Sequence, residues 1–191
     1  MKQLNLIILF VLLFKLTGVA NLSPTLFDLE LSNMSGGSFA LSTLAENKAS
    51  IFVFITPECP IAQRYTLTMR NMAKEYEKNN IKIYGIVSGT YYTVKDMKKF
   101  KKKYLIDFPI FFDRSLIVTK TLDAQITPQA FLVDNRGKVL YDGQIDNWYF
   151  ALGRARQVIT EFYLKDAVQS YLANEEIKVK KTRAIGCIIE Y

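Results

Sequence analysis

Apolar positions along the chain follow two alternating rhythms. Residues 51–55, IFVFI, form an unbroken apolar run of β-branched and aromatic side chains, the pattern of a short strand buried on both faces. Thr56, Pro57 and Glu58 break the run, and Cys59 and Pro60 follow. Ile61, Tyr65, Met69, Met72 and Tyr76 then recur at steps of three and four, which places one apolar face along a helix. Proline is tolerated at the first helical position, where its missing N–H has no intrahelical partner. The pattern therefore starts a helix at Pro60 and sets Cys59 at its threshold.

The rest of the chain continues this alternation. Residues 27–31 and 39–44 read as short strands around the turn Ser35-Gly36-Gly37-Ser38, and residues 81–87 as a second apolar strand. A lysine-rich helix follows, with Val94, Met97, Phe100 and Tyr104 on its inner face. Residues 108–112 form a strand closed by Asp113, and residues 115–122 a short helix. Residues 130–133 and 139–145 make a hairpin around Asn135-Arg136-Gly137. Thr160 is placed to cap a last helix bearing Leu164, Ala167, Val168, Tyr171 and Leu172. Residues 146–158, with Trp148, Gly153, Arg154 and Arg156, show no period and read as an irregular loop of candidate functional importance. Strands alternating with helices, then a closing hairpin and helix, predict an α/β fold with a mixed sheet between helical layers.

Residues 1–20 have the form of a secretory signal peptide. Lys2 precedes an apolar run over residues 6–14, and Thr17-Gly18-Val19-Ala20 offers small residues for cleavage after Ala20. The run is too short to cross a bilayer, which takes roughly 20 residues; an uncleaved anchor is the alternative. The expectation is an extracytoplasmic, periplasmic protein that meets a membrane only through its export signal. Its one domain spans residues 21–175, and a tail, residues 176–191, carries Cys187.

Composition narrows the chemistry. The chain has no histidine, which excludes Ser-His-Asp and Cys-His catalysis and every histidine-based metal site. Its two cysteines are too few for a cysteine-only zinc site or an iron–sulfur cluster within one chain. No cofactor and no metal are expected, and a two-thiolate site for a soft ion such as Cu(I) is the one metal option left open. The net charge of +7 comes mostly from lysines in residues 98–103 and from residues 178–183, which read as a solvated helix face and an exposed connector. No nucleic-acid module is legible, so no nucleic-acid partner is expected.

Cys59 is the candidate for chemistry. At the start of a helix a thiolate meets unpaired backbone N–H groups and the positive end of the helix dipole; the plainer reading is an inert, buried thiol. Around it, Glu58 is a candidate proton relay or a solvated charge. Arg64 is a candidate thiolate support or a surface residue, and Thr56 either bonds the sulfur or caps the helix. Cys187 lies past the last helix in an apolar ending, Ile185-Gly186-Cys187-Ile188-Ile189, that suits a late strand or a docked tail. Pairing Cys59 with Cys187 would close a long loop and stabilise the fold by at most roughly 5 kcal/mol.

The order strand, Cys-Pro helix, strand, helix, then Thr127-Pro128 before a strand and hairpin, resembles the thioredoxin superfamily. Within it, FPIFFDRSLIVTKTLDAQITPQAFLVDNRGKVLYDG is similar to the corresponding half of the alkyl hydroperoxide reductase/thiol-specific antioxidant, or redoxin, branch. YDGQIDNWY and the terminal GCIIEY resemble secreted bacterial redoxin-domain proteins that combine CPIA with a late Gly-Cys. The resemblance implies a three-layer α/β/α fold with a cis bond at Thr127-Pro128 facing the active cysteine. It implies Cys59 as nucleophile, activated by Pro60 and the helix start, and Cys187 as candidate resolving cysteine. It implies thiol–disulfide exchange or thiol-dependent peroxide reduction, on a disulfide-bearing protein or a peroxide, with an external thiol reductant.

Two departures matter. Ala62 stands where thioredoxins carry a second cysteine, so a disulfide from Cys59 needs Cys187 or another molecule. Phe52 stands where the peroxidase motif carries proline, although Thr56 fits that motif's threonine; this favours disulfide exchange. A redox-inactive binding module with a structural disulfide is the alternative of a different class.

Overall fold

A computed structural model describes residues 25–190 of the chain; the expected signal peptide, residues 1–20, lies outside the described residues. In chain order, β1 (Glu30–Asn33) and β2 (Ser38–Ala40) form a hairpin, β3 (Ala49–Phe54) leads into α1 (Pro60–Glu77), and β4 (Ile81–Ser88) into α2 (Val94–Tyr104). Next come β5 (Ile110–Asp113) and a short α3 (Ile117–Thr121). Then β6 (Ile126–Thr127) and β7 (Gln129–Asp134) flank Pro128, and β8 (Val139–Gly143) returns beside β7. A small ribbon of β9 (Tyr149–Ala151) and β10 (Arg154–Ala155), α4 (Tyr163–Leu172) and a terminal β11 (Cys187–Ile188) complete it.

The main sheet has seven strands in the order β2-β1-β5-β4-β3-β7-β8. β3, β4 and β5 run parallel and the remaining pairs are antiparallel, so the sheet is mixed as the sequence predicts. β3 lies inside the sheet between β4 and β7, and every one of its residues is buried. Ile51, Val53 and Ile55 point toward α1, α2 and α4, while Phe52 and Phe54 point to the opposite core beneath α3 and two 3-10 turns. That alternation across one strand divides the interior into two apolar layers.

Local chemistry sets the element ends. Thr93 and Asp96 satisfy each other's backbone N–H groups at the start of α2, and Leu105 ends it in the left-handed region at φ 54°. The lysines of α2 face solvent apart from Lys101, whose ammonium donates to the Phe108 carbonyl. Three expectations need correction. Residues 26–28 are a 3-10 turn, because the Asp28 carboxylate accepts from both the N–H and the hydroxyl of Thr25; a second such turn spans Leu41–Glu46. Thr160 does not cap α4, which starts after Phe162, because its hydroxyl accepts from the Asn147 amide.

The third correction concerns residues 146–158, which hold a two-stranded ribbon with a buried base. There the Asp146 carboxylate accepts from the Tyr65 hydroxyl and from the Trp148 N–H. Burial pushes this carboxyl above its ordinary value, against the two hydrogen bonds that lower it. No helix among the described residues is long and apolar enough to cross a membrane.

Candidate active site

Cys59 is the N-cap of α1, and Pro60 occupies the first helical position, as the sequence predicts. The cysteine has extended backbone geometry, so its side chain turns back over the helix end. There its sulfur accepts the Ala62 N–H at 3.5 Å, one of the donors a helix start leaves without an intrahelical partner. On its other side the sulfur donates to the Thr127 carbonyl at 2.9 Å. The Thr127–Pro128 peptide bond is cis, as the resemblance implies.

Cys187 completes the site. Its thiol donates to the Cys59 sulfur across 2.8 Å, and both cysteines are free thiols. A disulfide has an S–S length of about 2.05 Å, so bonding asks for a small displacement. The Cys187 thiol is pushed up to about 12, first by burial and then by the hydrogen bond and charge of Cys59. In the pair the Cys59 sulfur has the acceptor's part. Ionised, that sulfur keeps two donors, the Ala62 N–H and the Cys187 thiol, and gives up its own bond to Thr127.

The tail that delivers Cys187 is held at two places. Near the end of β8, the Asp142 N–H donates to the Lys180 carbonyl and the Thr182 N–H to the Asp142 carbonyl. The Thr182 hydroxyl accepts from the Gln144 N–H and shares a hydrogen bond with Tyr141. The Asp142 carboxylate bridges this anchor to the sheet, accepting from Gln129 at 2.7 Å and pairing with Lys181 at 2.8 Å. Further on, β11 pairs antiparallel with β6, setting Cys187 opposite Thr127. Alternation then sends Ile189 into the second core and leaves Ile188 exposed.

Cys59 is closed off from solvent at 1% exposed, whereas Cys187 keeps solvent-accessible surface. Within the apolar layer that holds Ile61 and Tyr65, three polar groups meet the Cys59 sulfur: the Ala62 N–H, the Thr127 carbonyl and the Cys187 thiol. The other candidates divide. Thr56 neither bonds the sulfur nor caps the helix; its hydroxyl faces that of Thr127 at 3.4 Å. Glu58 is exposed and accepts from Tyr92, 3.3 Å away. Arg64 is exposed on α1, and no hydrogen bond or ion pair links it to either sulfur. Residues that the sequence did not mark are Asp142, Lys181 and Thr182, whose roles depend on where the tail docks.

Among the described residues, no group of three or more His, Cys, Asp or Glu converges on a point that would hold a metal ion. The Phe52 ring is directed into the core opposite α1 and packs near Tyr84, away from the sulfurs.

Comparison with known proteins bears on the family and the fold. A family model described as the AhpC/TSA family matches residues 24–142. Among solved structures, a hypothetical protein of Sinorhizobium meliloti 1021 is 25% identical with a TM-score of 0.73, covering 85% of this chain and 90% of that one. A secreted Mycobacterium tuberculosis disulfide oxidoreductase homologous to E. coli DsbE is 16% identical, with a TM-score of 0.56 and coverage of 78% and 97%. The peroxidoxin BcpB of Mycobacterium tuberculosis is 19% identical, with a TM-score of 0.53 and coverage of 76% and 89%. No curated protein matches the chain.

Proposed function

The chain belongs to the AhpC/TSA family, and from that premise we propose that it is an extracytoplasmic thiol–disulfide oxidoreductase cycling Cys59 and Cys187 between dithiol and intramolecular disulfide. The observation that carries the reading is the 2.8 Å approach of the two sulfurs at the start of α1. In the reduced protein, lifting the tail uncovers Cys59. Its thiolate attacks one sulfur of a substrate disulfide, the substrate S–S bond breaks, and one substrate sulfur leaves as a thiolate and takes a proton. Cys187, deprotonated as it attacks, then displaces the second substrate sulfur from Cys59. The substrate departs as two thiols and the protein holds the Cys59–Cys187 bond, so two electrons have passed outward. An external thiol reductant restores the dithiol.

Disulfide exchange is preferred over peroxide reduction because Phe52 fills the proline slot of the peroxidase motif with a ring turned into the opposite core. Export rests on the signal-like residues 1–20, in keeping with a chemistry that suits oxidising compartments. The test is to assay Cys59→Ser and Cys187→Ser for disulfide-reductase and peroxidase turnover side by side with wild type. Loss of disulfide reduction in both variants supports the reading. Peroxidase turnover without disulfide turnover assigns the pair to peroxide, and full activity in either variant overturns the two-cysteine cycle.

A further inference from the structure

α2 carries six lysines and one carboxylate, Asp96, and that carboxylate is engaged at the helix start by Thr93. Lys101 turns inward to the Phe108 carbonyl. Lys95, Lys98, Lys99, Lys102 and Lys103 are exposed, and among the described residues none of the five forms an ion pair. Four of them, Lys95, Lys98, Lys99 and Lys102, border one shallow hollow with Val94, and no carboxylate lines it. Like charges at this spacing repel along a helix, so the face holds a positive potential with no counter-charge beside it. Two exposed apolar side chains frame it. Tyr91, 78% exposed, lines a neighbouring hollow with Lys99 and Lys103, and Leu105, 67% exposed, follows Lys102 by three residues. We propose that this face of α2 docks on an anionic phospholipid bilayer, a membrane contact additional to the export segment read from residues 1–20.

The chemistry of the face suits a bilayer better than an acidic protein or a nucleic acid. Every cation on α2 is a lysine. Lysine offers a hydrated point charge on a flexible stem, whereas recognition of a fixed carboxylate or phosphate favours the planar fork of arginine. Protein interfaces are depleted in lysine. A cluster of about four to eight basic residues on one helix matches a diffuse sheet of lipid phosphates, each residue adding roughly fivefold in affinity. Met97 and Phe100 are buried in the core, so the helix keeps its apolar side inward and meets the bilayer through its lysines without inserting. Tyr91 and Leu105 then reach the headgroup level, where a tyrosine sets its ring against apolar chains and its hydroxyl in water. Glu58 and Asp96 border the Tyr91 hollow and subtract from the attraction there. The centre of the contact is therefore Lys95, Lys98, Lys99 and Lys102.

The docking face stands apart from the two-cysteine cycle, and its test uses the full chain with two kinds of vesicle. One is phosphatidylcholine alone, the other an equal mixture of phosphatidylcholine and phosphatidylglycerol. Brief acetylation of lysines, read residue by residue by mass spectrometry, keeps any contribution of residues 1–20 separate. The expected result is that mixed vesicles slow acetylation of Lys98 and Lys102 by roughly fivefold or more, while the exposed Lys138 and Lys178 react as in free protein. Plain vesicles should give no protection, and high salt should abolish it. In Lys98→Glu with Lys102→Glu the protection of Lys95 and Lys99 should vanish, whereas in Lys138→Glu with Lys178→Glu, of equal net charge, it should stay. Should the first variant lose its circular dichroism, the acetylation pattern of wild type decides alone. Protection spread over every lysine, equal protection on plain vesicles, or none at all overturns the proposal. Protection of α2 by polyglutamate or duplex DNA, but not by mixed vesicles, overturns it too and assigns the face to an acidic protein or a nucleic acid.

Discussion

Gly186 lies against Thr127 so closely that a Cβ on the glycine would stand 2.0 Å from the Thr127 carbonyl oxygen. No side chain fits there, so the tail docks beside the cis-proline loop only because residue 186 has none. The same carbonyl accepts the Cys59 thiol. One backbone group therefore meets both the nucleophile and the segment that covers it.

Gly186→Ala is predicted to push the tail off β6 while leaving both cysteines in the chain. In the reduced protein, iodoacetamide should label Cys59 on the order of tenfold faster, which corresponds to tail opening made easier by about 1.4 kcal/mol. The far-ultraviolet circular dichroism should stay that of wild type, since the main sheet does not include β11. An unchanged labelling rate would mean that the tail is not what seals Cys59.

Alkaline pH should weaken the reduced protein through Cys187. Its thiol has an ordinary value of 9.0 and is pushed up to about 12 in the fold by burial and by Cys59. The folded state thus keeps a proton that the unfolded chain releases. The associated stability is complete below pH 9 and is lost as pH rises toward 12. Urea unfolding of reduced wild type between pH 8 and pH 11 should show a steeper decline than Cys187→Ser, which retains every tyrosine and lysine of the parent. Parallel curves would contradict the environment described for this thiol.

Much of this architecture is legible in the sequence, and the gaps have physical causes. β3 and α1 announce themselves because their apolar periods are long and the Cys-Pro step marks the boundary. The burial of Cys59 does not, because the group that covers it arrives from the far end of the chain and leaves no local trace. The ribbon of β9 and β10 escapes pattern reading because its strands are three and two residues long and rest on the side chains of Asp146 and Asn147. Thr160 looks like a helix cap until Asn147 is seen to take its hydroxyl. Gly186 beside Cys187 is the one readable hint of close docking, and Ile188-Ile189 the one hint of an in–out alternation.

The anchor on β8 should divide unequally between its two charges. Asp142 is buried and holds both Gln129 and Lys181, so Asp142→Ala should cost about 1–3 kcal/mol by leaving the Gln129 amide without its acceptor. Lys181 is exposed, and Lys181→Ala should cost about 0–1 kcal/mol. Urea midpoints of the two variants rank them; equal losses would show that the ion pair, and not the buried amide, carries the anchor.

The claim on which everything else rests is that Cys59 and Cys187 act as one redox couple. Equilibrating the protein across a series of glutathione buffers, alkylating free thiols in acid and reading intact masses tests it directly. The expected result is that both cysteines gain or lose protection together in a single two-electron transition, with a slope of about 30 mV per decade and only the doubly alkylated and the unalkylated, internally bonded forms populated. Independent titration of the two thiols, each as its own glutathione adduct, would contradict it.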